Sequence, residues 1–223
     1  MPDRPIAVLF DLDGTLIDSI ALLLGSLRHA FEGFPGRAPT DEEWVAGIGT
    51  PLARQLAPFA ATVDELNLLT TRYRSFQREH HDRLTALYPG VFDTILALHA
   101  AEHPMGIVTS KGNAMMDRTL AFTGLTPYMG TTIGCDSCDR HKPDPLPVQL
   151  ALTELGYSPD SAVFVGDSPH DMNAGNSAGV VTIAALWGPF TKDQLIPSSP
   201  THYLESITEL PALVKRIQSP SLV

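Results

Sequence analysis

An α/β fold, in which a parallel sheet is covered by helices and a separate all-helical unit is inserted, is what this sequence predicts. Short β-branched or apolar runs alternate with helical patterns along most of the chain. Those runs are continuously apolar rather than alternating, as strands buried on both faces are. One long stretch, from about Ser19 to Leu87, breaks the alternation with several helices in a row and no convincing strand.

The strand-like runs are Ile6 to Phe10, Met105 to Val108, Thr131 to Ile133, Ala162 to Val165 and Val180 to Ala185. Between them Phe92, Ile95, Leu96 and His99 signal one helix, Met115, Met116, Leu120 and Phe122 a second, and Val148, Leu150, Leu152 and Leu155 a third. Inside the insertion, Ile20, Leu23, Leu24, Leu27, Phe31 and Phe34 fall on one helical stripe. Thr40-Asp41-Glu42-Glu43 and Thr62-Val63-Asp64-Glu65 each have the capping-box pattern, and Pro51 marks another helix start. Leu66, Leu69, Tyr73 and Phe76 continue the last stripe, and Tyr88-Pro89-Gly90 is a turn that returns the chain to the sheet. The expected division is residues 1–17 and 88–223 for the sheet domain and 18–87 for the helical one.

At 223 residues and 43% hydrophobic, the chain can fill a core and a second small unit. Its net charge of -10, without a visible basic patch, argues against nucleic acid or an anionic membrane surface as partner. No run approaches the ~18 apolar residues of a membrane span. The start, MPDRPIAVLFDLDG, has no long apolar run before its first acids, so a cytoplasmic protein is expected. Cys135 and Cys138 have a spacing used by redox enzymes and zinc sites. A zinc site takes about four ligands and His141 supplies only a third, so the pair reads as two reduced thiols in a loop.

Four places carry the chemistry, each where an expected strand ends. Asp11 and Asp13 leave a buried strand and enter a Gly turn, and two carboxylates there call for a cation or hydrogen bonds, unless they simply cap a solvated turn. Thr109, Ser110 and Lys111 follow a strand and precede a helix, where hydroxyls and amides hold a phosphoryl oxygen or merely cap. Lys142 precedes a Pro-rich loop. Asp167 and Asp171 follow Gly166, and with the first pair they put four acids at strand ends, a set suited to Mg²⁺. Parallel sheets gather such ends in one crevice at a topological switch point.

The runs DLDGTLIDS (Asp11 to Ser19), the strand-end Thr109, Lys142 in KPDP and GDSPHD (Gly166 to Asp171) resemble, in order, the four motifs of the haloacid dehalogenase (HAD) superfamily. Tyr88-Pro89-Gly90-Val91, Ala178-Gly179-Val180 and Trp187-Gly188 are similar to its phosphoglycolate phosphatase-like branch. The resemblance implies a Rossmann-like, HAD-like core with an inserted helical cap, and hydrolysis of a small phosphorylated metabolite through an aspartyl-phosphate. It implies Asp11 as nucleophile, Asp13 as acid and base, and Mg²⁺ on Asp11, the Asp13 carbonyl, Asp167 and Asp171. Thr109, Ser110 and Lys142 are implied to hold the phosphoryl oxygens. Asp13 speaks against a dehalogenase, since that branch lacks the second acid.

Gly49, Thr50 and Arg54 in the cap are expected to contact substrate, although Gly and Pro also suit an ordinary helix connection. His170 reads as solvent-facing or next to a ligand rather than as a ligand, since Mg²⁺ prefers oxygen. His80 and His81, with Arg78 and Arg83, read either as substrate-facing or as a solvated helix end. The same motifs permit a phosphomutase of the β-phosphoglucomutase kind, a pyrophosphatase, or a binding protein that has lost chemistry, and the chain is expected as monomer or homodimer.

Overall fold

The computed structural model describes residues 5–219; residues 1–4 and 220–223, the outer ends of the expected sheet domain, lie outside them. In chain order the elements are β1 (Ala7–Phe10), β2 (Ile17–Asp18), α1 (Ile20–Phe31), α2 (Asp41–Ala46), α3 (Leu52–Leu56), α4 (Val63–His80) and β3 (Ala86–Leu87). They continue with α5 (Val91–Ala100), β4 (Met105–Val108), α6 (Asn113–Thr123), β5 (Met129–Ile133), α7 (Leu146–Leu155), β6 (Ala162–Gly166) and α8 (Pro169–Ala178). The last are β7 (Val181–Ala185), α9 (Lys192–Leu195), β8 (His202–Leu204) and α10 (Leu210–Gln218).

Six parallel strands form one sheet in the order β5-β4-β1-β6-β7-β8. Successive residues of a strand point to opposite faces, so Val8 and Phe10 enter one apolar cluster and Ala7 and Leu9 the other. The first cluster also takes Ile95 and Leu98 of α5 and Leu213 of α10; the second takes Val148 and Leu152 of α7 and Ala174 of α8. Phe10 and Phe164 are fully buried, and burying side chains of this size contributes about 1.5–3 kcal/mol each.

Three strands went unforeseen. β8 is three residues with a half-exposed start, too short to show a period. β2 and β3 pair antiparallel, Ile17 with Leu87 and Asp18 with Ala86, inside a region expected to hold no strand. Helix α1 stops at Phe31 because Gly33 takes a left-handed φ of +66° and Pro35 follows, so Phe34 lies beyond the helix. It still packs edge-on against Phe31 at 5.4 Å between ring centres. The expected box at Thr40 is complete, whereas at Thr62 only half forms: Glu65 accepts from the Ala61 amide instead. Phe92, Leu96 and Phe122 mark their helices correctly, yet all three are exposed.

The helices between β2 and β3 share their own cluster, with Leu27, Phe31, Trp44, Leu69 and Tyr73 inside, continued onto Met172, Ala184, Phe190 and Leu195 of the sheet domain. At the far end of α4 lies His81, which is not solvated. It is fully buried, with Nε2 2.8 Å from Thr119 Oγ1 on α6 and Nδ1 2.7 Å from Asp82 Oδ1.

Burial depresses the His81 imidazole below its ordinary value against the pull of Asp82, and Lys111 and Arg118 add to the depression. The unfolded chain thus takes the proton more readily. The stability from neutral His81 is complete above about pH 6.5 and is lost as pH falls below it. Thermal unfolding followed from about pH 7 to pH 5 is expected to drop more steeply in wild type than in His81→Gln, which has no such group to titrate.

Candidate functional site

The sheet order sets the carboxyl ends of β1 and β6 side by side where the path of the chain reverses, which is where open α/β sheets take ligands. Asp11 follows β1, and its amide donates to the Val165 carbonyl at 2.9 Å, extending the ladder and fixing the residue. Thr109 follows β4 in the same way, with its amide on Ile133 O at 2.9 Å. Asp167 follows β6, and Asp171 sits in the first turn of α8, where it and Ser168 form a reciprocal capping box. Lys142 enters from the loop between β5 and α7. Gly14, at φ +88°, lets the turn after β1 close on this group: a Cβ there would lie 2.5 Å from Asp167 Oδ2.

Asp11, Asp167 and Asp171 are buried, with oxygens that all lie within 4.8 Å of one another. Among them stands one ammonium. Lys142 Nζ lies 2.9 Å from Asp11 Oδ1, hydrogen-bonds Asp171 Oδ1, and donates to Val108 O at 3.2 Å. Thr15 Oγ1 donates to Asp167 Oδ1 at 2.8 Å. Asp171 is otherwise saturated, since its Oδ2 accepts the Ser168 amide and hydroxyl. Two buried oxygens of this cluster lack a hydrogen bond: Asp167 Oδ2, and Asp11 Oδ1, which Lys142 approaches at ion-pair distance without hydrogen-bond alignment.

Burial pushes the Asp11 carboxyl up to about 6 despite Lys142, with Asp171 adding repulsion. Asp167 is driven well above the usual carboxylate range by burial, then by Asp171 and Asp11. Burial alone would lower Lys142, but Asp11 and Asp171 outweigh it and hold the ammonium charged. Two orphaned carboxylate oxygens among like charges, all hard donors, fit a divalent cation of the magnesium kind.

The Asp13 carboxylate is not part of this cluster. It accepts Ser19 Oγ at 2.6 Å and Lys111 Nζ at 2.5 and 2.7 Å, leaving only its backbone carbonyl for a metal. Asp13, Lys111 and Thr109 line a cavity of about 520 Å³ between the sheet and the helical segment. Ser110 lines it too, but its hydroxyl donates to Gly49 O at 2.6 Å, so its side chain ties cap loop to sheet domain instead of awaiting phosphate. Gly49 and Thr50 reach the cavity as expected. A Cβ on Gly49, at φ +96°, would come within 2.7 Å of Ser168 Oγ, so only glycine allows that approach.

Arg54 does not line the cavity. It is exposed one turn further along α3, and Gln55 faces inward in its place. His170 is half-buried between Arg54 and the Gly49 loop, its imidazole lowered by burial. Of the residues at the end of α4, Arg78 faces the cavity, whereas His80 and Arg83 do not. Cys135 also lines it; both thiols are free and raised by burial. Sequence reasoning missed Arg74, Arg118 and Trp44 on the cavity wall, and Trp187, whose Nε1 donates to Thr15 O at 2.8 Å. The spacing of Arg74 and Arg78 was the available signal, since residues four apart share a helix face.

A family model described as haloacid dehalogenase-like hydrolase matches residues 8–185. The chain is 36% identical over 208 residues to pyrophosphatase PpaX of Bacillus velezensis, covering 93% of this chain and 95% of that protein. It is 33% identical over 219 residues to PpaX of Listeria monocytogenes, covering 96% and 99%. A solved structure from Haemophilus somnus, described as a predicted phosphoglycolate phosphatase, matches with a TM-score of 0.85 at 24% identity, covering 94% of this chain and 97% of its own. At that identity the likeness speaks for the fold.

If a cation completes the acid cluster, added Mg²⁺ raises the unfolding temperature of wild type, by the equivalent of about 2.7 kcal/mol at about a hundred times its Kd. Asp167→Asn is expected to lose that shift. Without Mg²⁺ it is expected to melt above wild type, because one of several crowded like charges is gone. An undiminished Mg²⁺ shift in Asp167→Asn rejects the cluster as the site.

Proposed function

This chain belongs to the haloacid dehalogenase-like hydrolases and is a phosphatase-type hydrolase, and we propose that it is a magnesium-dependent enzyme transferring phosphoryl groups from a small phosphorylated metabolite to Asp11 and then to water. The observation that carries this reading is the convergence of Asp11, Asp167, Asp171 and Lys142 at the switch point of the sheet.

In this reading Asp11, Asp167 and the carbonyl of Asp13 hold Mg²⁺, with Asp171 beside them. When bound, the ion supplies positive charge against the phosphoryl oxygens and the crowded carboxylates. Lys142 keeps Asp11 ionised and meets the dianion, which cannot otherwise approach a carboxylate. Thr109 and the amides near Ser110 hold the non-bridging oxygens. The Asp11 carboxylate forms a bond to phosphorus as the bond to the leaving oxygen breaks, and Asp13 gives that oxygen its proton. Asp13 then takes a proton from the water that attacks the aspartyl-phosphate, which releases phosphate and restores Asp11. Lys111 and Ser19 hold the Asp13 carboxylate at the cavity edge for both steps.

Residues 18–87 act as a cap that closes over the cavity and excludes water, and the Ser110–Gly49 hydrogen bond supports that role. A phosphoglycolate-like monoester fits a chamber of this size. Inorganic pyrophosphate is a second reading, favoured by the name of the Bacillus velezensis relative. The net charge of -10 speaks against nucleic-acid or anionic-membrane partners, and we propose a cytoplasmic enzyme, monomer or homodimer.

Phosphate release from a generic ester in the presence of Mg²⁺ tests the mechanism. Asp11→Asn is expected to abolish turnover, and Asp13→Asn to lower it about 10²–10⁴-fold. Hydrolysis at the wild-type rate by Asp11→Asn protein would sink it.

A further inference from the structure

Away from the acid cluster, the cavity has a second charged wall. Arg74 and Arg78 lie four residues apart on α4, so they project from one helix face about 6 Å apart along its axis. Both line the cavity, as do Tyr73 and Gln77 on the same face. Neither guanidinium makes an ion pair among the described residues, whereas Arg28, Arg37, Arg118 and Arg140 each sit against a carboxylate.

The chain has only 15 lysines and arginines against 25 acids, yet Arg74, Arg78, Lys111 and Arg118 all face this one chamber. Two of the four are already spent. Lys111 is held by Asp13, and Arg118 pairs with Asp82 at 2.9 Å while donating to the Arg78 carbonyl at 2.7 Å. Arg118 thereby pins the last turn of α4 to α6 and fixes where Arg78 begins. Asp136, which also lines the cavity, accepts the Asn113 amide at 2.8 Å and makes no ion pair with either arginine. What remains is two guanidiniums without an ion pair among the described residues, on the wall of a cavity that Asp11, Thr109, Trp44 and Met115 also line.

Resting on the phosphohydrolase reading, we propose that Arg74 and Arg78 bind a second anionic group, so that the substrate's leaving portion carries its own carboxylate or phosphate. Planar guanidiniums match both groups in bidentate fashion. An uncharged sugar or alcohol would leave both guanidiniums without a partner, so the pair selects against such esters.

The test compares kcat/KM for pyrophosphate, 2-phosphoglycolate and p-nitrophenyl phosphate, with Mg²⁺, in wild type, Arg74→Ala, Arg78→Ala and the double variant. The double variant is expected to lose about ten- to a hundredfold on one or both of the first two substrates, mainly through KM, and less than about threefold on the third. The anion with the larger loss identifies whether phosphate or carboxylate is preferred. Arg78→Lys is expected to recover part of the loss. Equal losses on all three substrates, or none, overturn the proposal. Both positions are exposed, so matching unfolding temperatures check that the variants fold. A second arm titrates pyrophosphate into Asp11→Asn protein with and without the double substitution. Should wild type hydrolyse none of the three, the phosphohydrolase reading fails, and this binding arm still decides the anion site: arginine-dependent affinity keeps it, equal affinity removes it.

Discussion

One lysine ammonium lies among three buried carboxylates, and the rest of the site is arranged around that imbalance. Taking each carboxylate out of water costs several kcal/mol, which a single cation does not offset for all three. Asp171 is relieved by Lys142 and by the capping amide at the start of α8, where the helix dipole also favours negative charge. Asp167 has the Thr15 hydroxyl, and Asp11 the Leu12 amide and an unaligned approach from Lys142; burial outweighs these, so both are pushed toward protonation. The parallel sheet makes this crowding tolerable by burying β1 and β6 on both faces, so that their tips cannot separate. A stable scaffold holds an unstable constellation, and the proposed chemistry draws on the charge deficit that results.

The parts of this arrangement that depend on local sequence were readable, and those that depend on how helices lie over the sheet were not. β1, β4 and β6 announce themselves as apolar runs, and the acids that end them stand out because charge is out of place after a buried strand. β8 gives no such contrast, since His202 and Tyr203 are only half-buried. Arg74 and Arg78 look like the solvated face of an amphipathic helix, adjoining the buried stripe of Leu69, Tyr73 and Gln77. Only the tilt of α4 over the sheet turns that face toward the cavity. The Gly49 loop was found from its glycines, yet Arg54, expected at substrate together with Gly49 and Thr50, points away because α3 rotates it outward. His81 failed in the opposite sense: a histidine at a helix end among charges looks exposed, but the single turn after α4 tucks it beneath α6.

Among the described residues three polar side-chain links, besides Ser19 to Asp13 at the neck, join the helical segment to the sheet domain, and they differ in kind. Ser110 to Gly49 is one hydrogen bond between two loops, easily made and broken. Arg118 to Arg78 O and Asp82 is charge-assisted. His81 to Thr119 is wholly buried. The three thus run from the Gly49 loop to the end of α4.

The helical segment leaves and returns through neighbouring residues, since Ile17 pairs with Leu87 and Asp18 with Ala86. Viewed from the neck it is a detachable module, but its oily interior is shared with Met172, Ala184, Phe190 and Leu195 on the other side. A lineage that shed the insert would inherit a bare greasy scar at four positions scattered through the later sequence. Loss of the insert is thus a concerted evolutionary event, whereas exchange for another apolar-faced insert leaves those positions untouched.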